Sequence, residues 1–215
     1  MHYLGTWFFK ITAWIFSLFI FRKKVYYEDK LTQNRHIRGK AIVITNHNNI
    51  LDFGFMEFLF FDRVLRCQVA ELMYKKNFFM TFFLKMLGSI KVDRDRRDFS
   101  FMKKSVEVLD KGGVLMVYPE ARIPKDHEEK PLPFKSSVTQ IAFDSGAPII
   151  PVYCDGKYMG KGPCSVIIGK PINVKDMYDE SLTERENRAT ITIKLREKII
   201  QLKDELNRQK EEKAK

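Results

Sequence analysis

The chain reads Lys40-Ala41-Ile42-Val43-Ile44-Thr45-Asn46-His47-Asn48-Asn49-Ile50-Leu51-Asp52 where an apolar strand passes through a polar loop into a helix. On one continuous helix, residues five positions apart point about 140° away from each other. His47 and Asp52 can therefore meet only if His47 lies in the loop and Asp52 in the first helical turn. A carboxylate beside an imidazole fixes the tautomer, so the other ring nitrogen can take a proton from a hydroxyl. The stretch predicts a general base or, alternatively, a capping histidine followed by a helix-start carboxylate.

Apolar segments of two kinds alternate along the chain and predict its fold. Short runs typical of strands are followed by longer segments typical of helices. We predict strands at 25–28, 40–45, 64–70, 90–92, 114–118, 148–153 and 165–169, and helices at 51–61, 77–87, 98–111 and 136–145. This alternation predicts an α/β domain whose mostly parallel sheet has helices on both faces.

Two further helices are expected to frame this domain. A membrane-associating helix is predicted within residues 1–24, the α/β domain spans 25–180, and a C-terminal amphipathic helix with a charged tail spans 181–215. The C-terminal helix carries a stripe of apolar residues at helical spacing. Its last residues, from Gln209 on, are charged or small, and we expect them to fray.

The N-terminal helix is predicted from residues 3–21, which are nearly all apolar or aromatic. Lys10 lies in its middle, three hydroxyl residues also interrupt it, and Arg22-Lys23-Lys24 follows at once. The length is about the minimum for a bilayer span. The interior lysine, the two tryptophans and the basic border favour a helix that lies in the membrane interface. Packing of the helix on the domain is a further alternative.

The net charge of +11 limits the kinds of partner. A basic chain seeks polyanions, which are nucleic acids, anionic membranes or phosphorylated ligands. The sequence has no zinc-finger, RNA-recognition or basic-zipper signature, so a membrane surface and a phosphate ligand fit better. The cysteines lack Cys-x-x-Cys spacing, which predicts buried thiols in a reducing compartment. The histidines other than His47 show no metal-ligand spacing, so no metal site is expected.

Side chains that could take part in catalysis or ligand binding directly follow three of the predicted strands. These groups are His47, Asp93-Arg94 and Glu120. The carboxyl ends of parallel strands lie at one edge of the sheet, where α/β proteins form their ligand sites. One crevice is therefore expected to hold all three.

Four blocks of the chain, taken together, resemble a known family. They are Asn46-His47 followed by Asp52, Gly88-Ser89-Ile90-Lys91-Val92-Asp93-Arg94, Tyr118-Pro119-Glu120 and Ile150-Pro151-Val152. In this order and spacing they resemble the glycerophospholipid acyltransferases, typified by the 1-acylglycerol-3-phosphate acyltransferases. The resemblance covers about residues 24 to 170, so residues 25–180 would be the acyltransferase domain.

The resemblance implies a reaction and a location. An acyl group would pass from an acyl thioester, acyl-CoA or acyl carrier protein, to the sn-2 hydroxyl of 1-acylglycerol 3-phosphate, forming phosphatidic acid without cofactor or metal. His47 and Asp52 would be catalytic. The substrate would be bound by Asn46, Arg94, Glu120, Arg122 and Lys135. The protein would act at the cytoplasmic face of a membrane, among phospholipids and without nucleic acid.

The third block departs from the family after Glu120. Where the family has Gly-Thr-Arg, this chain has Ala121-Arg122-Ile123. Alanine does not readily adopt the positive φ that glycine permits, so a different loop path is expected. Arg122 is expected to reach the acceptor's phosphate all the same. The departure keeps two alternatives open: another acceptor, such as glycerol 3-phosphate or a lysophospholipid, and a non-catalytic membrane lipid-binding protein.

Overall fold

The computed structural model describes residues 2–31, 33–93, 99–159 and 162–213, with side chains from Leu4 onward. Within these residues helices and strands alternate as predicted. They are α1 (His2–Ile20), β1 (Lys23–Tyr27), β2 (Ala41–Thr45), α2 (Asp52–Leu59), β3 (Leu65–Ala70), α3 (Glu71–Tyr74), α4 (Phe78–Met86), β4 (Ile90–Val92), α5 (Ser100–Asp110), β5 (Val114–Val117), α6 (Ser137–Ser145), β6 (Ile149–Cys154), β7 (Cys164–Ile168), a 3₁₀ turn (Val174–Met177) and α7 (Glu184–Glu212).

The strands form one sheet in the order β1-β7-β6-β2-β5-β3-β4. Strands β6, β2, β5, β3 and β4 run parallel, which confirms the predicted α/β class. Strand β7 is antiparallel to β6, and β1 pairs with β7 in parallel. The reversal follows from the short connection, because nine residues separate Cys154 from Cys164, whereas a parallel return requires a longer crossover.

Both faces of the sheet are covered, as the alternation predicted. Ile42 and Ile44 of β2 pack into a core shared with α5, α6 and α7. Ala41 and Val43 point the other way, into a core shared with α2. Because every residue of β2 is buried, the loop that follows it starts from a fixed position.

The C-terminal helix α7 is regular for longer than the sequence suggested. It starts after Thr183, which forms a capping box with Glu186. The predicted fraying from Gln209 on is wrong for the residues described, because the helix continues to Glu212. The Gln209 side chain is buried and donates to the carbonyl of Tyr27 at 3.0 Å, and Lys210 pairs with Asp155 at 3.2 Å. These long-range contacts hold the last turns, which the local composition does not reveal.

Helix α1 packs against the domain with three of its polar residues facing inward. Thr6, Lys10 and Ser17 are buried, and their spacing of four and seven positions places them on one helical face. Gly5 allows close approach to α4, since a Cβ there would lie 2.5 Å from the Met86 side chain. The outward face is apolar and exposed, and consists of Leu4, Phe8, Ile11, Trp14, Ile15, Phe16, Leu18 and Phe19.

A buried ion pair fixes α1 to α2. The Lys10 ammonium lies 2.9 Å from Glu57 Oε2, and both side chains are inaccessible to solvent. Lys10 also donates to the carbonyls of Phe60 and Phe61, at 3.1 and 3.3 Å, and to that of Arg63. Burial lowers the pKa of Lys10 and raises the pKa of Glu57 to about 7. Both shifts reflect the cost of taking charges out of water, which the contacts between the two groups partly offset.

The N-terminal helix does not have the character of a membrane span. Among the described helices, none combines the length and the hydropathy that crossing a bilayer requires.

Candidate active site

His47 and Asp52 meet beyond the carboxyl end of β2, as their spacing predicted. The imidazole Nδ1 lies 2.8 Å from Asp52 Oδ2. His47 belongs to the loop and Asp52 is the first residue of α2. Asp52 is buried, whereas the imidazole keeps a fifth of its surface exposed. Since Nδ1 faces the carboxylate, Nε2 is the nitrogen left to accept a proton.

The loop itself holds the carboxylate of Asp52 in place. The backbone N–H groups of Asn48 and Asn49 donate to Oδ2 at 2.7 and 2.9 Å. A buried anion needs such donors to offset its lost hydration. Asp52 therefore fixes the loop geometry as well as the tautomer of His47.

Asn46 lies behind the imidazole and not in the open part of the site. It is buried, and its side-chain amide both donates a hydrogen bond to the backbone of Cys154 and accepts one from it. Cys154 lies on the neighbouring strand β6. The Nδ2 group donates to the Cys154 carbonyl and Oδ1 accepts from the Cys154 N–H, each at 2.9 Å. Asn46 was predicted to bind substrate, but in the structure its side chain connects the end of β2 to β6.

Glu120 follows β5, the other neighbour of β2, and is joined to the His47 loop. Its Oε1 accepts the His47 N–H and its Oε2 accepts the Leu132 N–H, both at 2.8 Å. Burial raises the pKa of Glu120 above its ordinary value, although these two N–H groups act in the opposite direction. The predicted meeting of Glu120 with His47 is confirmed, through the His47 backbone.

A tyrosine that the sequence reasoning gave no role holds the imidazole plane. The Tyr118 ring stacks on His47, with centroids 4.3 Å apart and planes 23° apart. Burial raises the pKa of Tyr118 well above its ordinary value, so the phenol keeps its proton. Tyr118 directly follows β5, the strand beside β2. This position was the feature of the sequence that could have indicated its contact with His47.

The loop after Glu120 corrects one prediction. Ala121 adopts a positive φ of 64°, the conformation the sequence argument reserved for glycine. Its N–H donates to the Tyr118 carbonyl at 2.9 Å, which closes a four-residue turn. The neighbouring contacts of Glu120 hold Ala121 in this strained region, at a cost of about 1–2 kcal/mol relative to glycine.

The two predicted phosphate ligands among the described residues, Arg122 and Lys135, are both exposed. The Arg122 guanidinium is exposed and pairs with Glu128, with one N–O distance of 2.6 Å. This contact lowers the pKa of Glu128 to about 2. Lys135 is exposed two residues before α6. Arg94, the third predicted phosphate ligand, lies outside the described residues.

An apolar cavity of about 420 Å³ opens beside His47. Its walls come from β3, α3 and α4, with Tyr118 and Ala121 at the end near the imidazole. The lining includes Phe53, Leu72, Met73, Met80, Phe83 and Leu84. Phe55 and Phe58, on the same helix as Phe53, belong to the core under the sheet. Phe78, Phe79 and Phe82 are exposed on the outer face of α4.

The three cysteines are buried and free, as predicted. Among the described residues, Cys154, Asp155 and Cys164 have the spacing of metal ligands. A hydrogen bond with Cys154 and burial raise the pKa of Cys164, so the thiol holds its proton. Asp155 is paired with Lys210. Through these contacts the three residues form a packed polar cluster next to the loop that carries His47.

Comparisons with known proteins agree with this geometry. The family model described as acyltransferase matches residues 22–155, more than half of the chain. A 1-acyl-sn-glycerol-3-phosphate acyltransferase of Bacillus subtilis (strain 168) is 27% identical over 130 residues, which are 58% of this chain. The match spans 62% of the length of that relative. The crystal structure of the 1-acyl-sn-glycerophosphate (LPA) acyltransferase from Thermotoga maritima has a TM-score of 0.61 at 21% identity, and covers 92% of this chain and 78% of that one.

Proposed function

Because the chain belongs to the acyltransferase family, we propose that it transfers an acyl group from an acyl thioester to the sn-2 hydroxyl of 1-acylglycerol 3-phosphate, forming phosphatidic acid. One observation carries the proposal: the His47–Asp52 pair, with its 2.8 Å contact, stands at the mouth of an apolar cavity. The reactions named for the two relatives support the same acceptor.

His47 acts as the general base in the proposed reaction. Its Nε2 takes the proton of the acceptor hydroxyl while the hydroxyl oxygen attacks the thioester carbonyl carbon. The tetrahedral intermediate then expels the sulfur, which receives the proton back from the imidazolium. The products are an ester and a free thiol. Asp52 and the Tyr118 ring keep the imidazole in one tautomer and one plane throughout.

The apolar cavity is the proposed site of an acyl chain. Its lining is almost entirely aliphatic, aromatic and thioether side chains, and it ends at the imidazole. A chain that fills it exchanges water for apolar contacts, which contributes about 0.8 kcal/mol for each buried methylene. The chain's reactive carbon is then brought to the base.

The acceptor's phosphate is proposed to bind Arg122 together with Arg94 and Lys135. A dianion beside a catalytic base needs several cations, because a single one does not offset its desolvation. Glu120 can orient this loop through its contacts with the His47 and Leu132 backbone. In this arrangement Arg122 must exchange Glu128 for the phosphate.

The pairing of Arg122 with Glu128 also favours a second candidate. A loop whose arginine stays bound to Glu128 lacks one phosphate ligand. A lysophospholipid, whose phosphodiester carries a single negative charge, is then the better acceptor, whereas glycerol 3-phosphate has the same phosphate monoester as 1-acylglycerol 3-phosphate. The deciding experiment incubates the purified protein in detergent with acyl-CoA, or with acyl carrier protein, and a panel of the three acceptors. Mass spectrometry identifies the lipid product. Phosphatidic acid as the main product supports the first candidate, and no transfer to any acceptor favours a non-catalytic lipid-binding protein.

The prediction for Arg122 uses two variants with opposite effects. Arg122→Ala should raise the acceptor KM by roughly ten- to a hundredfold, the effect of losing one charge-assisted contact, while the donor KM stays the same. Glu128→Gln should lower the acceptor KM, because it releases the guanidinium. Lys125→Ala removes a charge from the same loop and serves as the control. Unchanged acceptor constants in both main variants would make the Arg122–Glu128 pair structural.

We also propose that the protein lies on the cytoplasmic face of a membrane, held by the outer face of α1. That face exposes apolar side chains while Thr6, Lys10 and Ser17 of the same helix point inward, which is the reverse of a helix on a water-soluble surface. The exposed Phe78, Phe79 and Phe82 of α4 extend this apolar surface. Arg22 and Lys24 are exposed at the end of α1, where they can meet anionic headgroups.

A test of attachment should leave the fold intact. Deleting residues 1–24 removes Lys10 and the start of β1, so substitutions on the outer face are cleaner. The variant Phe8→Gln/Ile15→Gln/Phe16→Gln/Phe19→Gln should lower binding to anionic vesicles at least about tenfold, measured by co-sedimentation. Ile193→Gln, an exposed position on α7, is the control. Equal sedimentation of the quadruple variant and the wild type would show that α1 is not the anchor.

A further inference from the structure

The catalytic carboxylate has a fourth donor, which comes from a segment distant in sequence. The Tyr158 hydroxyl donates to Asp52 Oδ1 at 2.6 Å, across 106 residues of sequence. The other oxygen, Oδ2, faces His47 and the N–H groups of Asn48 and Asn49. The two oxygens of Asp52 thus have separate partners, and Tyr158 is the side-chain donor that holds Oδ1.

Close packing places Tyr158 in this position. Gly156 has a φ of 69°, and a Cβ there would lie 2.7 Å from the Asn48 side chain. The segment after β6 therefore packs directly against the loop that carries His47. The Tyr158 ring then lies against Phe21 and Phe55, with centroids 5.8 and 5.2 Å apart. The Tyr158 N–H donates to the Gly156 carbonyl at 2.9 Å, which tightens the turn.

The hydroxyl is a permanent donor. Burial, with nearby Cys154 and Asp52, raises the pKa of Tyr158 far above its ordinary value, so the phenol keeps its proton. The Cys154 thiol lies 3.4 Å from the same hydroxyl. Because a neutral thiol is a weak partner, the bond to the carboxylate dominates the orientation of the hydroxyl.

We propose that Tyr158 is a positioning residue of the acyl transfer, whose hydroxyl fixes the rotation of the Asp52 carboxylate so that Oδ2 stays aimed at His47. The inference rests on the proposed function for its kinetic consequences, although the contact itself does not. With Oδ1 bound, the carboxylate cannot turn to share its charge differently between the imidazole and the loop N–H groups. Tyr158 acts through Asp52 and does not touch the substrate.

The same bond influences the pH at which the base becomes active. A donor on Oδ1 withdraws charge from Oδ2, so its loss leaves more charge facing the imidazole and stabilises the imidazolium. Among the described residues, the other titratable groups beside the pair and Tyr158 are Tyr118 and Glu120 from the segment after β5, and Cys154 from β6. Tyr118 keeps its proton and the Glu120 carboxylate binds the His47 backbone, so neither changes when the Tyr158 hydroxyl is removed. The Cys154 thiol loses its 3.4 Å contact with that hydroxyl, and a separate variant tests this loss.

The variant Tyr158→Phe tests the proposal, because it keeps the ring and deletes the donor. We expect kcat to fall about tenfold with both KM values within twofold of wild type. The acid limb of the pH–rate profile should move to higher pH by about half to one unit. Tyr153→Phe removes a phenol hydroxyl from β6, the strand that precedes Tyr158, and should change neither quantity. Cys154→Ala, which keeps the Tyr158–Asp52 bond, should leave the acid limb in place.

A second readout needs no substrate. In protein with ¹³C-labelled histidine, the His47 resonance is assigned by its loss in His47→Ala and is titrated by NMR in wild type and Tyr158→Phe. A midpoint that rises in the variant supports the proposal even if no acyl transfer is found, in which case only the proposed function fails. Equal midpoints, or a kcat and acid limb that match wild type in an active enzyme, would overturn the positioning role.

Discussion

His47→Ala should lower turnover by at least about 10²-fold, the usual contribution of a positioned general base. The structure gives the reason, since Nε2 is the ring nitrogen left free of the carboxylate at the mouth of the cavity. Asp52→Asn should cost a comparable factor, because a neutral amide cannot stabilise the imidazolium, and an amide NH₂ group in the place of Oδ2 would face His47 Nδ1 and favour the other tautomer. Turnover is measured with saturating donor and acceptor.

The chain contains its own control for this result. His36 and Asp62 form a second histidine–carboxylate pair at 3.0 Å, exposed and far from the cavity lining. His36→Ala should therefore leave turnover unchanged. Thermal unfolding of His47→Ala close to that of wild type excludes misfolding as the cause. Wild-type transfer by His47→Ala would falsify the base mechanism.

The largest expected effect on stability comes from Lys10. Lys10→Met should lower the free energy of unfolding by about 3–5 kcal/mol, because it leaves the Glu57 carboxyl buried without its cation. A single-charge control is Lys76→Met, an exposed position that should have little effect. Unfolding in mild detergent, followed by tryptophan fluorescence, reports on α1 directly, since both tryptophans lie in that helix.

The sign of the pH dependence follows from Glu57. Its pKa in the folded protein is raised to about 7, so its contribution to stability is full at acidic pH and is lost as the pH rises through 7. The defect of Lys10→Met should accordingly be larger at pH 8 than at pH 5, where the carboxyl can take a proton. Lys10→Met/Glu57→Leu removes both groups and should recover much of the stability. A loss that is the same at both pH values, and that the double variant does not relieve, would mean the ion pair is not the cause.

The sequence predicted most reliably what is encoded locally. Strand β2 and the His47–Asp52 pair lie within thirteen residues, so spacing alone determined that they could meet. The contact of Glu120 with the His47 loop followed from strand order in a parallel sheet. The site of Arg122 was not predictable in this way, since its partner Glu128 competes with a ligand that the sequence cannot supply.

Contacts between distant segments were missed. Thr6, Lys10 and Ser17 looked like interruptions of an apolar helix, although their spacing already placed them on one face. What that face packs against depends on Glu57, which is remote in sequence. Tyr158 gave no signal, because its meeting with Asp52 depends on the antiparallel turn after β6. The strained Ala121 was misjudged because propensity ignores the contacts that hold a turn.

The rim of the apolar cavity has a consequence for how substrates arrive. Ile50, Leu72 and Ile123 line the cavity and are exposed. Pulling a chain of about fifteen methylenes from a bilayer into water costs about 12 kcal/mol, whereas sliding it across an apolar rim avoids that step. If the protein lies on the membrane as proposed, its encounters with a lipid acceptor take place in two dimensions. The rate then follows the mole fraction of the acceptor in the leaflet and not its concentration in the bulk solution, and the product stays in the leaflet from which the acceptor came.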